Sequence, residues 1–113
     1  MTRNRWIKKN YKYVDYELMS RILGKTIKDF REAKGVTINM VSHYSGVNRN
    51  TIRRLENGEC EKGVMLQNLV KIAVALDISM KDMVAEVDYF CNHGVLSNGM
   101  DENSLAKGEY RSA

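Results

Sequence analysis

The sequence predicts an all-α domain of five helices, with a basic arm before it and a partly flexible tail after it. Three observations carry this. Apolar residues recur at helical spacing from residue 15 to residue 90. There is no proline, and the glycines fall singly between periodic segments, where they act as helix stops rather than as the turn clusters of a sheet protein. Hydrophobic residues make up 43% and charged residues 28% of 113 residues, which suits one core and one domain and is too apolar for a disordered chain.

The first helix begins near residue 15. Met19, Ile22, Leu23, Ile27, Phe30 and Ala33 trace one of its faces and Gly35 stops it. Gly24 inside it costs about 1 kcal/mol against alanine, which predicts a close backbone contact at that point. The second helix covers Ile38 to Ser45 and ends at Gly46; the third covers Arg49 to Asn57 and ends at Gly58. The fourth spans Met65 to Leu76, with Leu66, Leu69, Ala73 and Leu76 on one stripe. The fifth follows Ser79 and reaches Phe90.

Helices two, three and five share a start signal. Thr37, Asn48 and Ser79 each carry a side-chain oxygen that can accept from the free amides of a first turn. Each follows an aliphatic residue (Val36, Val47, Ile78), and five positions after that residue comes another apolar one (Val41, Ile52, Met83). That pairing is a hydrophobic staple, which sets the angle at which each helix begins. The chain therefore divides into a basic N-terminal arm at 1–14, a helical domain at 15–90 and a C-terminal tail at 91–113. The tail is rich in Gly, Ser and Asn; it is expected to be flexible, or to order Leu96, Met100 and Leu105 against a partner.

Net charge is +4, and its distribution says more than its size. Arg3, Arg5, Lys8, Lys9 and Lys12 stand in the first twelve residues with no acid among them, and residues 13–94 are neutral in sum. Within that neutral stretch, Arg49, Arg53 and Arg54 concentrate positive charge on one short helix. This is the electrostatic footprint of a protein that meets a polyanion.

Other functions find little support. No apolar stretch approaches the ~18 residues of a membrane span, and the N-terminus lacks the hydrophobic middle of a signal peptide, so the cytoplasm is the expected compartment. Cys60 and Cys91 make no disulfide framework. Cys91-Asn92-His93 offers too few ligands for a structural zinc site, which takes four. No nucleophile with an orienting base and acid can be picked out around His43. No metal, cofactor or enzyme activity is expected.

Residues 46–58, GVNRNTIRRLENG, are the informative stretch. Val41, Ile52 and Leu55 are spaced to bury between helices two and three, and Gly46 can take the positive φ of a sharp turn. With Ile52 and Leu55 turned inward, Arg49, Asn50, Arg53 and Arg54 point outward. A solvated face is the ordinary fate of such residues. Three guanidiniums held rigidly together ask for something more.

From Leu23 to Val84, about 62 residues, the chain resembles the Xre/Cro family of DNA-binding proteins, whose fold is the five-helix lambda-repressor-like helix-turn-helix bundle. The resemblance lies in Leu23-Gly24, Ile27 and Arg31, then Thr37, Val41, Gly46-Val47 and Thr51-Ile52. It continues through Leu55-Glu56-Asn57-Gly58, Leu69, Ile72-Ala73 and Leu76. It departs at Ile38, where the family often has a glutamine that touches the DNA backbone and props the recognition helix; that contact is expected to be absent here. Met40 and Ser42 also replace the usual acid and alanine.

The resemblance implies that helix three enters the major groove and reads base edges with Arg49, Asn50, Thr51 and Arg54. Arginine can make two parallel bonds to guanine and asparagine two to adenine, which gives the reading a physical basis. Thr37, Asn39, Asn48, Arg53, Asn57 and Lys62 are placed for phosphates, which fix position without reading sequence. Arg31 and Glu56 match an ion pair that ties helix one to the end of helix three. Arg3, Arg5, Lys8 and Lys9 of the arm are expected either to follow the duplex or to form a solubilising leader.

The expected function is a DNA-binding regulator, acting as a homodimeric repressor on a near-palindrome of double-stranded DNA. Control of a phage or mobile element, or of its own gene, is typical of the family. The dimer contact is expected on helix five and residues 85–100, through Val84, Val87, Tyr89, Phe90 and Val95, or on helix four through Val70 and Val74. Two other readings keep the fold: an antitoxin whose tail holds a protein partner, and a protein-binding module without DNA activity.

Overall fold

The computed structural model describes residues 12–60 and 62–99. Among them are five helices and no strand: α1 Tyr16–Ala33, α2 Ile38–Ser45, α3 Arg49–Glu56, α4 Leu66–Leu76 and α5 Met80–His93. The arm residues Arg3, Arg5, Lys8 and Lys9, and Met100 and Leu105 of the tail, lie outside the described residues.

The helix starts form where side chains can cap them. Thr37 Oγ1 accepts from the Met40 amide at 3.1 Å, Asn48 Oδ1 from the Asn50 amide at 2.8 Å and Ser79 Oγ from the Asp82 amide at 3.0 Å. Asp15 does the same for α1, accepting from Leu18 at 3.1 Å. The staples close beneath them: Val41, Val47, Ile52 and Met83 are buried, with Val36 and Ile78 packed on the same core. Only α4 starts without a side-chain cap.

α1 packs on α5 and α3, α2 lies against α3 and α4, and α4 meets α5. Leu23, Ile27, Val41, Ile52, Leu55, Ile72 and Leu76 form the main core. At Gly24 the backbones of α1 and α3 come so close that an added Cβ would stand 2.0 Å from the Leu55 carbonyl oxygen. Only a residue without a side chain fits there.

The folded unit runs past the boundary expected at residue 90. α5 continues to His93 and is stopped by Gly94 at φ 78°. Leu96 then turns back and is 2% exposed, packed with Leu18, Ile22 and Phe90 in a second core cluster. Glu86 holds this turn, accepting from the Ser97 amide at 3.1 Å and from the Ser97 hydroxyl at 2.6 Å. The expectation that Leu96 orders against a partner is thus corrected: it completes the chain's own core.

The end of the arm is also part of the unit. The Lys12 and Tyr13 amides both donate to the Cys91 carbonyl, at 2.9 and 3.2 Å, and the Tyr13 ring covers Gly94. Burial pushes the Cys91 thiol pKa up, so the thiol stays protonated and unreactive at neutral pH. Phe90, expected at a dimer contact, is 1% exposed and belongs to the interior.

Candidate nucleic-acid interface

α2 and α3 are joined by a three-residue turn in which Gly46 adopts φ 80°. Ser42 Oγ donates to the Val47 carbonyl at 2.7 Å, and Ser45 Oγ accepts from the Val47 amide at 3.0 Å. These bonds satisfy the turn's polar groups from within, and Val47 is driven into the core. The angle between the two helices is therefore fixed by buried apolar contacts and by hydrogen bonds that span the turn.

α3 then sorts its residues by sign and polarity. Ile52, Leu55 and Glu56 face inward; Arg49, Asn50, Arg53 and Arg54 are exposed, and Thr51 is half-buried between them. Its single acid, Glu56, is 5% exposed and gripped by Arg31. Arg31 Nε and Nη2 donate to the two Glu56 oxygens at 2.7 and 3.0 Å, and Nη1 donates to the Val36 carbonyl at 2.9 Å. The hydrogen bond to Glu56 raises the Arg31 pKa above its ordinary value, against the opposing effect of burial. With Glu56 neutralised by α1, the outward face of α3 carries three positive charges that form no ion pair among the described residues.

The polar residues on this face are not independent. Arg49 Nη1 donates to Asn39 Oδ1 at 3.1 Å, bridging α3 to α2. Arg53 Nη1 donates to Asn50 Oδ1 at 2.8 Å, within α3. Spacing of three along a helix could have disclosed the second pair. The first joins residues ten apart across a turn, and no sequence period reveals it. It joins the start of α2 to α3 from Asn39, the neighbour of Ile38.

The remaining candidates surround α3. Thr37 and Asn48 are exposed and spend an oxygen on capping, which leaves their helix starts facing outward. Asn57 is half-buried at the C-terminal end of α3. Lys62 is exposed in the α3–α4 connection, which is tied to α1 by the Ser20 hydroxyl donating to the Cys60 carbonyl at 3.0 Å. No helix among the described residues is long and apolar enough to cross a membrane.

A family model described as helix-turn-helix matches residues 27–83, which runs from within α1 into α5 and includes all of α2, the turn and α3. No curated protein and no solved structure matches the chain.

Proposed function

Because the chain belongs to the helix-turn-helix family of DNA-binding regulators, of the Xre and lambda-repressor-like kind, we propose that it is a cytoplasmic repressor that binds as a homodimer to a near-palindromic operator. α3 lies in the major groove and reads base edges through Arg49, Asn50, Thr51 and Arg54. Thr37, Asn39, Asn48, Arg53, Asn57 and Lys62 lie along the phosphates. The observation that carries this reading is the sorting of charge on α3. Its one acid is turned inward onto Arg31, and its three arginines are turned outward together.

A single short helix reads three or four base pairs, which discriminates weakly among genomic sites. Two copies on half-sites about one helical turn apart, ~34 Å, multiply the discrimination. The surface that supports a second copy is α4, where Leu66, Val70 and Val74 are 68%, 40% and 74% exposed on one stripe. Tyr89 and Val84 of α5, at 36% and 37%, offer less.

Binding to DNA fragments from the chain's own upstream region, with random-sequence competitor and across a salt series, tests this reading. The expected result is protection of two related half-sites with the same face of the duplex exposed to the protein. Binding that ignores sequence at every salt concentration would refute it and leave a protein-binding module on the same fold.

A further inference from the structure

We propose that the chain carries a second binding site, a cleft for a linear carboxylate with an apolar tail, and that this ligand competes with a DNA phosphate for Lys62. The site stands on its own geometry. The competition rests on the phosphate role proposed for Lys62 above.

The cleft opens where α1, α4 and α5 meet the α3–α4 connection. It holds about 470 Å³, within the ~300–1,000 Å³ of small-molecule sites. Met19 and Leu23 of α1, Leu69 of α4 and Val84 and Val87 of α5 line it. Leu23 and Leu69 are buried members of the main core, so the floor is part of the folded interior. The α3–α4 connection, which supplies Lys62, is tied to α1 by the Ser20 hydroxyl donating to the Cys60 carbonyl.

The two ends of this space differ in charge. Lys62 lines one end, where no acidic side chain joins it among the described residues. Lys62 also forms no ion pair among those residues. The cleft continues along the seam between α1 and α5 into a second one of about 380 Å³, and the two share Met19, Val84 and Val87. There Val14 and Cys91 extend the apolar wall, and the charged residue is Asp88. From Val84 to Cys91 the seam runs roughly 10 Å, at ~1.5 Å of helix per residue.

A ligand with a negative head and an apolar tail fits this space one way round. Its head meets Lys62, its tail covers the seam toward Val14, and Asp88 repels the reverse orientation. A small anion would leave the apolar walls in water, and a cation would be repelled where the cleft is deepest in core residues. The ammonium of Lys62 is a compact point charge. A carboxylate seated on it takes the charge that a phosphate would otherwise neutralise.

Isothermal titration calorimetry of the full chain tests the site, with acetate, octanoate, decanoate and decylammonium below their micellar concentrations. Decanoate should bind saturably, about tenfold more tightly than octanoate, since it buries two more methylenes. Acetate and decylammonium should not bind. Lys62 is exposed, so its variants are expected to fold. Lys62→Ala should lose at least tenfold in decanoate affinity, and Lys62→Glu should reject decanoate and take up decylammonium. In gel shifts, decanoate should weaken operator binding by wild type and leave binding by Lys62→Ala unchanged. Operator DNA should weaken decanoate binding by the same factor, because the coupling is reciprocal.

No saturable binding of decanoate, or equal binding of decanoate and decylammonium by wild type, would overturn the site. Decanoate that binds without loosening the operator would overturn the competition. A chain that binds decanoate yet prefers no DNA sequence would overturn the DNA-reading function instead and leave the site in place.

Discussion

Gly24 and Leu55 lock α3 to α1. A Cβ at position 24 would meet the Leu55 oxygen at 2.0 Å and the Leu55 carbonyl carbon at 3.0 Å, and neither can swing aside as a side-chain tip can. Gly24→Ala should therefore destabilise the protein. The substitution gains about 1 kcal/mol of helix propensity, and the two helices must part to admit the methyl group. Overpacking of this kind typically costs ~1–3 kcal/mol, and a clash with backbone belongs at the upper end. Urea unfolding should show a lower midpoint. An unchanged or raised midpoint would mean that the two helices part at no cost.

The Arg31–Glu56 pair fixes the other end of α3. Arg31→Met should cost about 3–5 kcal/mol, because it leaves the Glu56 carboxylate buried without its partner. The double substitution Arg31→Met with Glu56→Leu should recover much of that loss, since an apolar pair of similar volume is often no worse than a buried ion pair. The recovery also separates stability from function. The double variant is expected to fold and still to bind DNA, as neither residue reaches the outward face. Chemical denaturation of both variants, followed by gel shift of the double one, checks both statements.

Gly24 also shows how much of this molecule its sequence discloses. A glycine in the middle of a strongly periodic helix is locally unfavourable, and that conflict alone pointed to a close approach. The caps at Thr37, Asn48 and Ser79 and the three staples were legible for a related reason: they act between neighbours along the chain, where spacing is geometry. The inward turn of Ile52 and Leu55 followed from period, and with it the outward turn of the arginines. The Asn39–Arg49 bond was not legible, because it depends on the angle between two helices and on side-chain rotamers. Nor was the burial of Leu96, a lone leucine in a polar tail whose partners Leu18 and Ile22 lie far away in sequence.

Leu96 should matter more than its place in a glycine-rich tail suggests. Leu96→Ala is expected to cost about 2–5 kcal/mol, the range for emptying a closely packed leucine site. Glu86→Ala should cost less, since it releases the exposed Ser97 turn without opening a cavity. Truncation after His93 should be at least as damaging as Leu96→Ala. Thermal melts of the three variants should follow that order. A truncated chain as stable as the full one would show that residues 94–99 do not belong to the folded unit.

Val74 is the position at which to test the second copy. It is 74% exposed on α4, and glutamate is a better helix former than valine, so Val74→Glu should leave the fold intact. Placing a charge in a small apolar contact should shift sedimentation from dimer to monomer and weaken operator binding, while binding of a single half-site stays unchanged. If wild type sediments as a monomer both free and on its operator, the proposed dimer is wrong whatever the variant does.

Arg54 and Lys62 should fail in different ways, and the difference tests the assignment of reading and positioning residues. Both are exposed and cationic, and neither forms an ion pair among the described residues. Arg54 lies on the outward face of α3 and is proposed to read a base with Arg49, Asn50 and Thr51. Arg54→Ala should cost ~1–3 kcal/mol per half-site on the correct operator and much less on random DNA, relaxing specificity at one position. Lys62 lies in the α3–α4 connection, past the C-terminal end of α3. Lys62→Ala should weaken all sequences alike. Because each lost phosphate contact retains one condensed counterion, the slope of log K against log salt should flatten by about 1 for each half-site. The two outcomes follow from position, since the residues carry the same charge. Equal, sequence-blind losses with equal changes of slope would place Arg54 on the backbone as well, and the base-reading set would then have to be sought among Arg49, Asn50 and Thr51 alone.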